Sequence, residues 1–245
     1  ATLWLVELTA TDLLLASLAV GVGALVQGSI GFGVNVVGGP ILVLIDTRLV
    51  PGPALVAAFV LTLLVGVRDR AGIDRSGFGW VFLGRIPTSV AAALLVAALP
   101  ERGLAISLAV AVLIAVAISA LGWRVERTPP TLFAAGAISG VMGTVSAIGG
   151  PPVAMLYQDA KGAEVRGTLS AIFAVGALTS MVLLAGVGRF GLAEIYASLA
   201  LMPAIVGGFW LSRFTTRWLD RGFVRPTILI LCAASAIAAM VRYAL

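Results

Sequence analysis

The hydrophobic pattern of the chain is dominated by two long uncharged stretches, residues 13–45 and 128–158. Glycines interrupt each stretch near its middle, as Gly28-Ser29-Ile30-Gly31-Phe32-Gly33-Val34-Asn35 and as Ser146-Ala147-Ile148-Gly149-Gly150-Pro151-Pro152. In a membrane protein, paired interruptions of this kind indicate a transport site, because unwound backbone can offer N–H and C=O groups to a solute. Small residues also let helices approach closely, so helix packing is the alternative interpretation.

The other apolar runs predict further membrane-spanning helices. A bilayer core about 30 Å thick needs roughly 20 helical residues for one crossing. Runs close to that length lie at residues 49–67, 77–99, 103–123, 167–188, 195–212 and 226–241. The two interrupted stretches, at 33 and 31 residues, are too long for one straight helix and too short for two full-length ones.

Composition identifies the class of protein. Of 245 residues, 60% are hydrophobic and 11% are charged, and the mean hydropathy is +1.12, which is more apolar surface than one soluble core can hide. We therefore predict an all-α polytopic protein of the cell's inner (plasma) membrane, in contact with the lipid bilayer. The chain has no His and one Cys, Cys232, so we expect no metal site, no cofactor and no enzymatic activity.

The positions of the basic residues predict how the interrupted stretches cross. The formal charge of +5 comes from Arg in short loops, a pattern typical of membrane orientation and not of nucleic-acid binding. If each interrupted stretch crosses once, the fifteen basic residues other than Arg85, which falls inside a predicted span, divide eight against seven between the two sides. If each crosses and returns, they divide eleven (Arg68, Arg70, Arg75, Arg124, Arg127, Lys161, Arg166, Arg213, Arg217, Arg221, Arg225) against four (Arg48, Arg102, Arg189, Arg242). The second division follows the positive-inside rule and places both termini outside.

Five crossings in each half make the halves enter the membrane in opposite orientations, so we predict two inverted repeats with the glycine-broken helices at the centre. The repeats are residues 1–125 and 129–245, joined by the polar linker Arg124-Val125-Glu126-Arg127-Thr128-Pro129-Pro130. Gly38-Gly39-Pro40 and Gly149-Gly150-Pro151 are taken as equivalent positions of the two halves. Pro87 and Pro203 fall in matching third helices.

These motifs carry a resemblance to a known family. The run Gln27-Gly28-Ser29-Ile30-Gly31-Phe32-Gly33, followed by Pro40, resembles the first half of the paired signature of the TauE/SafE sulfite-exporter family. Ser139-Gly140-Val141-Met142-Gly143, leading to Gly149-Gly150-Pro151-Pro152, resembles the second half. The resemblance covers the whole chain and implies a membrane exporter of sulfite or of organosulfonates such as sulfoacetate. Family members are usually described with fewer helices than the ten crossings counted here.

The predicted substrate-binding site lies at the two interruptions. An anion in a low-dielectric path needs hydrogen-bond donors without much fixed positive charge, and helix N-termini supply them. Helices beginning near Val34 and Pro151 in opposed orientations could converge on one small anionic substrate. The candidate residues are Gln27, Ser29, Gly31, Gly33 and Asn35 in the first half, Arg85, and Thr144, Ser146, Gly149, Gly150 and Pro151 in the second.

The candidates differ in how strongly their chemistry indicates a site. Gln27 and Asn35 are the stronger ones, because an amide in a long apolar stretch is costly unless it finds a partner. The hydroxyl groups of Ser29, Thr144 and Ser146 can instead bond back to their own helices. Arg85 is a functional candidate as a basic residue inside a span, and snorkelling of its side chain to the interface is the rival explanation.

Energy coupling and assembly are inferred from composition. The Asp and Glu residues map to loops and span ends, so no intramembrane proton relay is expected. A negative-inside potential drives anions outward by about 2.3 kcal/mol per charge per 100 mV, and we predict export driven mainly by this potential. The alternative is a cation or other ion channel or carrier that uses the carbonyl groups of the same broken helices. The Ala-rich residues 91–98 could support a homodimer.

Overall fold

The computed structural model describes residues 8–121, 125–157, 159–160, 162–219, 233–234, 236–238 and 240–243. Every regular element in these ranges is helical. The α-helices are α1 (Ala10–Ile30), α2 (Val34–Ile45), α3 (Gly52–Arg68), α4 (Phe78–Ala98), α5 (Glu101–Leu121), α6 (Pro129–Ser146), α7 (Gly150–Ala154), α8 (Gly162–Gly186) and α9 (Leu192–Leu219). Short 3-10 turns occupy Thr47–Leu49, Arg70–Gly72 and Met155–Tyr157.

Six segments of the described chain are long and apolar enough to cross a membrane: Ala10–Ile30, Thr47–Arg68, Phe78–Ala98, Glu101–Ala120, Gly162–Gly186 and Leu192–Thr215. Ala10–Ile30 covers the first part of the first interrupted stretch. Each of the other five segments contains most of the residues of one apolar run predicted above. The predicted span at 226–241 lies largely outside the described residues. The prediction of an all-α, multi-pass membrane protein is confirmed.

Both interrupted stretches contain a helix end followed by a new helix start. Helix α1 ends at Ile30, and α2 begins at Val34 after Gly31 and Gly33, which have φ angles of 98° and 125°. Side chains other than hydrogen are strained at such angles, so glycine allows the chain to turn back here. In the second stretch, α6 ends at Ser146, Ala147 takes the left-handed conformation, and α7 begins at Gly150.

The equivalence of Gly38-Gly39-Pro40 with Gly149-Gly150-Pro151 is wrong. Pro40 lies inside α2, whereas Pro151 lies in the first turn of α7 with Gly149 as the residue before the helix. A helix's first turn accepts proline because its N–H has no partner there in any case. The residues between one helix end and the next helix start are Gly31–Gly33 in the first stretch and Ala147–Gly149 in the second.

Three helix pairs hold the bundle together. Helix α1 packs on α9, α4 packs on α6, and α3 packs on α8. Glycines allow the closest approaches: a side-chain carbon at Gly136 of α6 would collide with the Val81 carbonyl oxygen of α4, and one at Gly208 of α9 with the Gly21 carbonyl oxygen of α1. Small residues at crossings are typical of membrane helices, where van der Waals packing drives association.

Polar contacts gather the helix ends into two groups. At one end, Asp69 binds Arg166 through two hydrogen bonds of 3.0 and 3.1 Å. Nearby, the Asp74 N–H donates to the Thr168 hydroxyl at 2.9 Å. At the other end, Arg189 donates to the carbonyl groups of Ala97 and Leu99. The Thr47 hydroxyl donates to the Glu101 carboxylate, and the Arg242 side chain donates to the Leu44 carbonyl. Arg68, Arg127 and Arg166 lie at one end, through contacts to Asp69, Asp74 and Glu164, and Arg189 and Arg242 lie at the other.

The segment 91–98 faces two ways. Ala92, Ala93 and Val96 are buried in the chain's own core, and Leu94 and Leu95 are exposed. Part of this segment therefore packs inside the bundle, and part of it lies on the outer surface. The homodimer stays a prediction.

Candidate functional site

The two helix interruptions lie against each other inside the bundle. The Asn35 side chain, in the first turn of α2, donates to the Ala147 carbonyl of the second interruption at 3.0 Å and to the Ala54 carbonyl of α3 at 3.1 Å. A side-chain carbon at Gly150 would come within 3.0 Å of Phe32 Cβ, so glycine permits this approach. The starts of α2 and α7 therefore border one region.

That region contains a cavity, and the empty space within it and at its open mouth totals about 450 Å³. Six of the eleven residues predicted as substrate-binding line it: Gln27, Gly33, Asn35, Arg85, Gly149 and Gly150. Helices α3 and α8 complete the wall with Thr62 and Phe173 among others. Its lining is mainly apolar with a few fixed polar groups, as is typical of small-molecule sites.

Arg85 of α4 lies inside the bundle, with 3% of its surface exposed. Its Nη1 donates to the hydroxyl of Ser139 on α6 and, at 3.3 Å, to the Ser139 carbonyl. Two glycines make room for the guanidinium group: a side-chain carbon at Gly176 of α8 would collide with it, and one at Gly143 of α6 would lie 2.7 Å from Nη2. The guanidinium group thus contacts neighbouring helices and does not reach the interface by snorkelling.

The charge of Arg85 has no protein counter-ion among the described residues. No described Asp or Glu lies within ion-pair distance of it, and its Nε–H has no hydrogen-bond partner. Among the described residues that line the cavity, Arg85 alone is ionisable. Burying a charge without a counter-ion costs roughly several kcal/mol of free energy, even after the protein relaxes around it. The buried position of Arg85 therefore favours binding of an anion in the cavity.

Gln27 connects α1 to the start of α2. Its Oε1 accepts a hydrogen bond from the Val34 N–H at 3.0 Å, which satisfies the first backbone donor of α2. The Gln27 side chain is itself buried, with 3% exposed. The Gln27 amide therefore has a structural role at the interruption, and Gln27 also lines the cavity.

The three hydroxyl candidates bind within or between helices. Ser29 donates to the Leu25 carbonyl at 2.8 Å, and Ser146 to the Met142 carbonyl at 2.6 Å, both four residues back in their own helices. Thr144 shares a 2.8 Å hydrogen bond with Ser180 of α8. None of the three is among the residues that line the cavity. The contacts of Ser29 and Ser146 to their own helices match the local helix-bonding interpretation, whereas Thr144 joins α6 to α8.

Gly31 and Pro151 border the site without lining the cavity. Gly31 ends α1 and lies against Arg166, since a side-chain carbon there would come within 3.1 Å of Arg166 Cα. Pro151 and Pro152 fill the first turn of α7 and carry no N–H. The start of α7 consequently offers fewer backbone donors than the start of α2.

Sequence reasoning missed the role of Ser139 as a partner of Arg85. Ser139 also donates to the Gly149 carbonyl at 2.6 Å, so one hydroxyl joins Arg85 to the second interruption. The signal was present, because Ser139 begins the second signature motif, but a serine beside glycines is more often a packing residue. Thr62 was also missed, because its hydroxyl lies in an otherwise apolar run.

Comparison with known proteins gives the family. No curated protein and no solved structure matched the chain. A family model described as sulfite exporter TauE/SafE matches residues 15–239, which include both interruptions, Arg85 and every residue named at the cavity. The resemblance seen in the signature motifs is confirmed, and the chain belongs to the TauE/SafE sulfite exporter family.

Proposed function

We propose that the protein exports small sulfur-containing anions, sulfite or an organosulfonate such as sulfoacetate, through the cavity between the two helix interruptions. Membership of the family supports transport of such anions across a membrane. The observation that carries the proposal for this cavity is the buried guanidinium group of Arg85 at its wall, which has no counter-ion among the described residues. Its planar donor fork suits the oxygen atoms of sulfite and sulfonate groups.

The start of α2 supplies a second attraction for an anion. Helix α2 has twelve residues, and Asn35 and Val36 follow Val34 in its first turn at the cavity wall. Backbone N–H groups in a first helical turn lack intrahelical acceptors, and the helix dipole adds partial positive charge at this end. A single Arg with helix-terminal donors can bind an anion and still release it, as transport requires.

Cation coordination by the same interruptions is less well supported. Carbonyl oxygens would have to face the ion, but the Ala147 carbonyl accepts from Asn35 and the Gly149 carbonyl accepts from Ser139. A cation in the cavity would also meet the positive charge of Arg85. The polar contacts of the described residues therefore favour an anion.

We propose in addition that the chain consists of two inverted repeats, residues 1–125 and 129–245. Helix packing supports this. Suppose that α1, α3 and α4 of the first repeat correspond, in that order, to α6, α8 and α9 of the second. A two-fold rotation that exchanges the repeats then turns the α1–α9 contact into the α4–α6 contact and leaves the α3–α8 contact in place. Pro87 and Pro203 lie inside the helices that would correspond, α4 and α9. Inverted repeats place a shared site at their interface.

The membrane potential is proposed as the main driving force. A group that takes up and releases protons at the cavity would indicate proton coupling, and Arg85 is too basic for that role. A negative-inside potential contributes about 2.3 kcal/mol per charge per 100 mV to outward movement of an anion.

The test is flux in reconstituted vesicles at equal pH on both sides and a fixed voltage, comparing sulfite, sulfoacetate, sulfate and acetate. We expect sulfite or sulfoacetate flux that follows the voltage. Arg85→Met should reduce it on the order of 30-fold or more, because removing one partner of a buried charged contact costs about 2–5 kcal/mol. Folding should survive, since an apolar replacement of a buried charge is often neutral or stabilising.

Arg70→Met is the matched control, because Arg70 is exposed in the 3-10 turn after α3 and the change removes the same charge. Its flux should equal that of the unmodified protein. Equal flux in the Arg85→Met protein, or flux driven by a pH gradient at zero voltage, would contradict the proposal.

A further inference from the structure

We infer that the cavity selects an oxyanion with one net negative charge and one O–H donor, of which hydrogensulfite is the simplest example, over the sulfite dianion. The inference rests on the proposed function and narrows its substrate class to protonated monoanions such as hydrogensulfite, because sulfoacetate, with a sulfonate and a carboxylate, is a dianion without an O–H donor at neutral pH. It comes from two buried polar atoms, on residues that line the cavity, that have no hydrogen-bond partner: one can only accept a hydrogen bond and the other can only donate one.

The acceptor is Asn35 Oδ1. The two N–H groups of the same amide donate to the Ala54 and Ala147 carbonyls, at 3.1 and 3.0 Å. Turning the amide over would place its oxygen against two carbonyl oxygens, so its orientation is fixed by these contacts. Oδ1 is then left buried without a hydrogen-bond donor, and Asn35 is 3% exposed and lines the cavity.

The donor is Arg85 Nε–H. Ser139 holds Nη1 of this guanidinium group, and Nε is buried without an acceptor. Gln27 adds donor capacity to the same wall, because its Oε1 already accepts from the Val34 N–H and its NH₂ end is the free end. A ligand that satisfies these atoms needs negatively charged oxygens for Arg85 and a proton to give to Asn35 Oδ1.

Charge leads to the same class of ligand. Arg85 is the one ionisable residue among the described residues that line the cavity, so a monoanion gives a neutral filled site. A dianion would leave one negative charge buried in low dielectric, which is unfavourable. It would also bring only lone pairs to Asn35 Oδ1, where two acceptors would face each other without a proton.

These requirements separate ligands of similar size. Hydrogensulfite carries one charge and, as HO–SO₂⁻, one O–H group. The sulfite dianion has no proton to donate, and methanesulfonate has the right charge but a methyl group in place of the hydroxyl. Since replacing Asn35 would also remove its contacts to Ala54 and Ala147, the test varies the ligand and not the side chain.

The first measurement is the charge carried with each sulfite. Vesicles containing the full chain are loaded with labelled sulfite at equal, buffered pH on both sides, and a potassium diffusion potential is imposed with valinomycin. A monoanion reaches a tenfold ratio of concentrations at about 59 mV, and a dianion reaches a hundredfold ratio. We expect the tenfold ratio, and a hundredfold ratio would overturn the inference while leaving sulfite export intact.

The second measurement is selectivity in the same vesicles. At constant total sulfite, the initial rate should fall as rising pH converts hydrogensulfite to the dianion, and excess methanesulfonate should compete poorly. A rate that rises with pH, or methanesulfonate that competes as well as sulfite, would overturn the inference. Absence of protein-dependent sulfite flux at every pH would instead reject the proposed substrate, and the inference with it. Protein-free vesicles correct for passive leak at each pH.

Discussion

At the scale of single residues, the position of Arg85 depends on glycines in the neighbouring helices, which leave room for its guanidinium group. Gly176 of α8 and Gly143 of α6 leave the space that the guanidinium group occupies, and Ser139 fixes its Nη1 end. A charged group with five donors is useful for binding only if its direction is fixed, because guanidinium recognition depends on planar geometry. The two glycines therefore help to fix the position of Arg85.

Gly176→Ala is expected to reduce sulfite flux on the order of 10- to 100-fold, since misplacing a contacting group by about 1 Å can cost that much. The added carbon would collide with the guanidinium group and displace it, with no change in net charge. Flux in reconstituted vesicles measures the effect.

Gly207→Ala provides the comparison, because nothing lies within 4 Å of a side-chain carbon at Gly207 of α9. It should leave flux unchanged and raise the free energy of unfolding by up to about 1 kcal/mol through helix propensity. If both variants transport equally well, Arg85 is not positioned by Gly176 in the way described.

At the scale of the helices, the first interruption depends on two glycines with positive φ. Gly33→Ala should destabilise the protein by about 1–3 kcal/mol, because a side chain at φ 125° is strained. It should also lower flux, since Gly33 sets the direction in which α2 begins. Thermal unfolding in detergent and vesicle flux test the two effects separately.

Gly39→Ala is the matched control for the same helix. Gly39 lies inside α2, and a side-chain carbon there would meet its nearest neighbours at 3.6 Å or more, which is ordinary contact. Alanine favours the helix over glycine, so stability should stay constant or rise. A loss of stability equal to that of Gly33→Ala would refute the strain argument.

Helix positions could be predicted from sequence because they follow from the lengths of apolar runs. The run at 49–67 became Gly52–Arg68, and that at 77–99 became Phe78–Ala98. The interior of the site could not be predicted in the same way. Whether Arg85 faces Gly176 or lipid depends on how α4 is rotated against α6 and α8, which periodicity alone does not determine. The Gly-Gly-Pro match was wrong because it compared composition without helix positions.

At the scale of the whole molecule, the charged ends define two sides. One side carries Arg68 bound to Asp69 and to the Gly28 carbonyl, and Asp69 in turn binds Arg166. These contacts tie α1, α3 and α8 together beside the first interruption. The other side carries few basic residues, and the positive-inside rule then predicts that the Arg68 side faces the cytoplasm.

Single-cysteine labelling tests this orientation in a Cys232→Ser background, because the chain has no other cysteine. Ala71→Cys lies on the Arg68 side and Gly191→Cys on the opposite side, and both positions are exposed. A membrane-impermeant maleimide should label the Gly191→Cys protein in intact cells and the Ala71→Cys protein only in inverted vesicles. The reverse pattern would place the basic end outside, and labelling of both from one side would contradict the topology. The expected pattern makes the first interruption turn at the cytoplasmic side, where an anion would enter for export down the membrane potential.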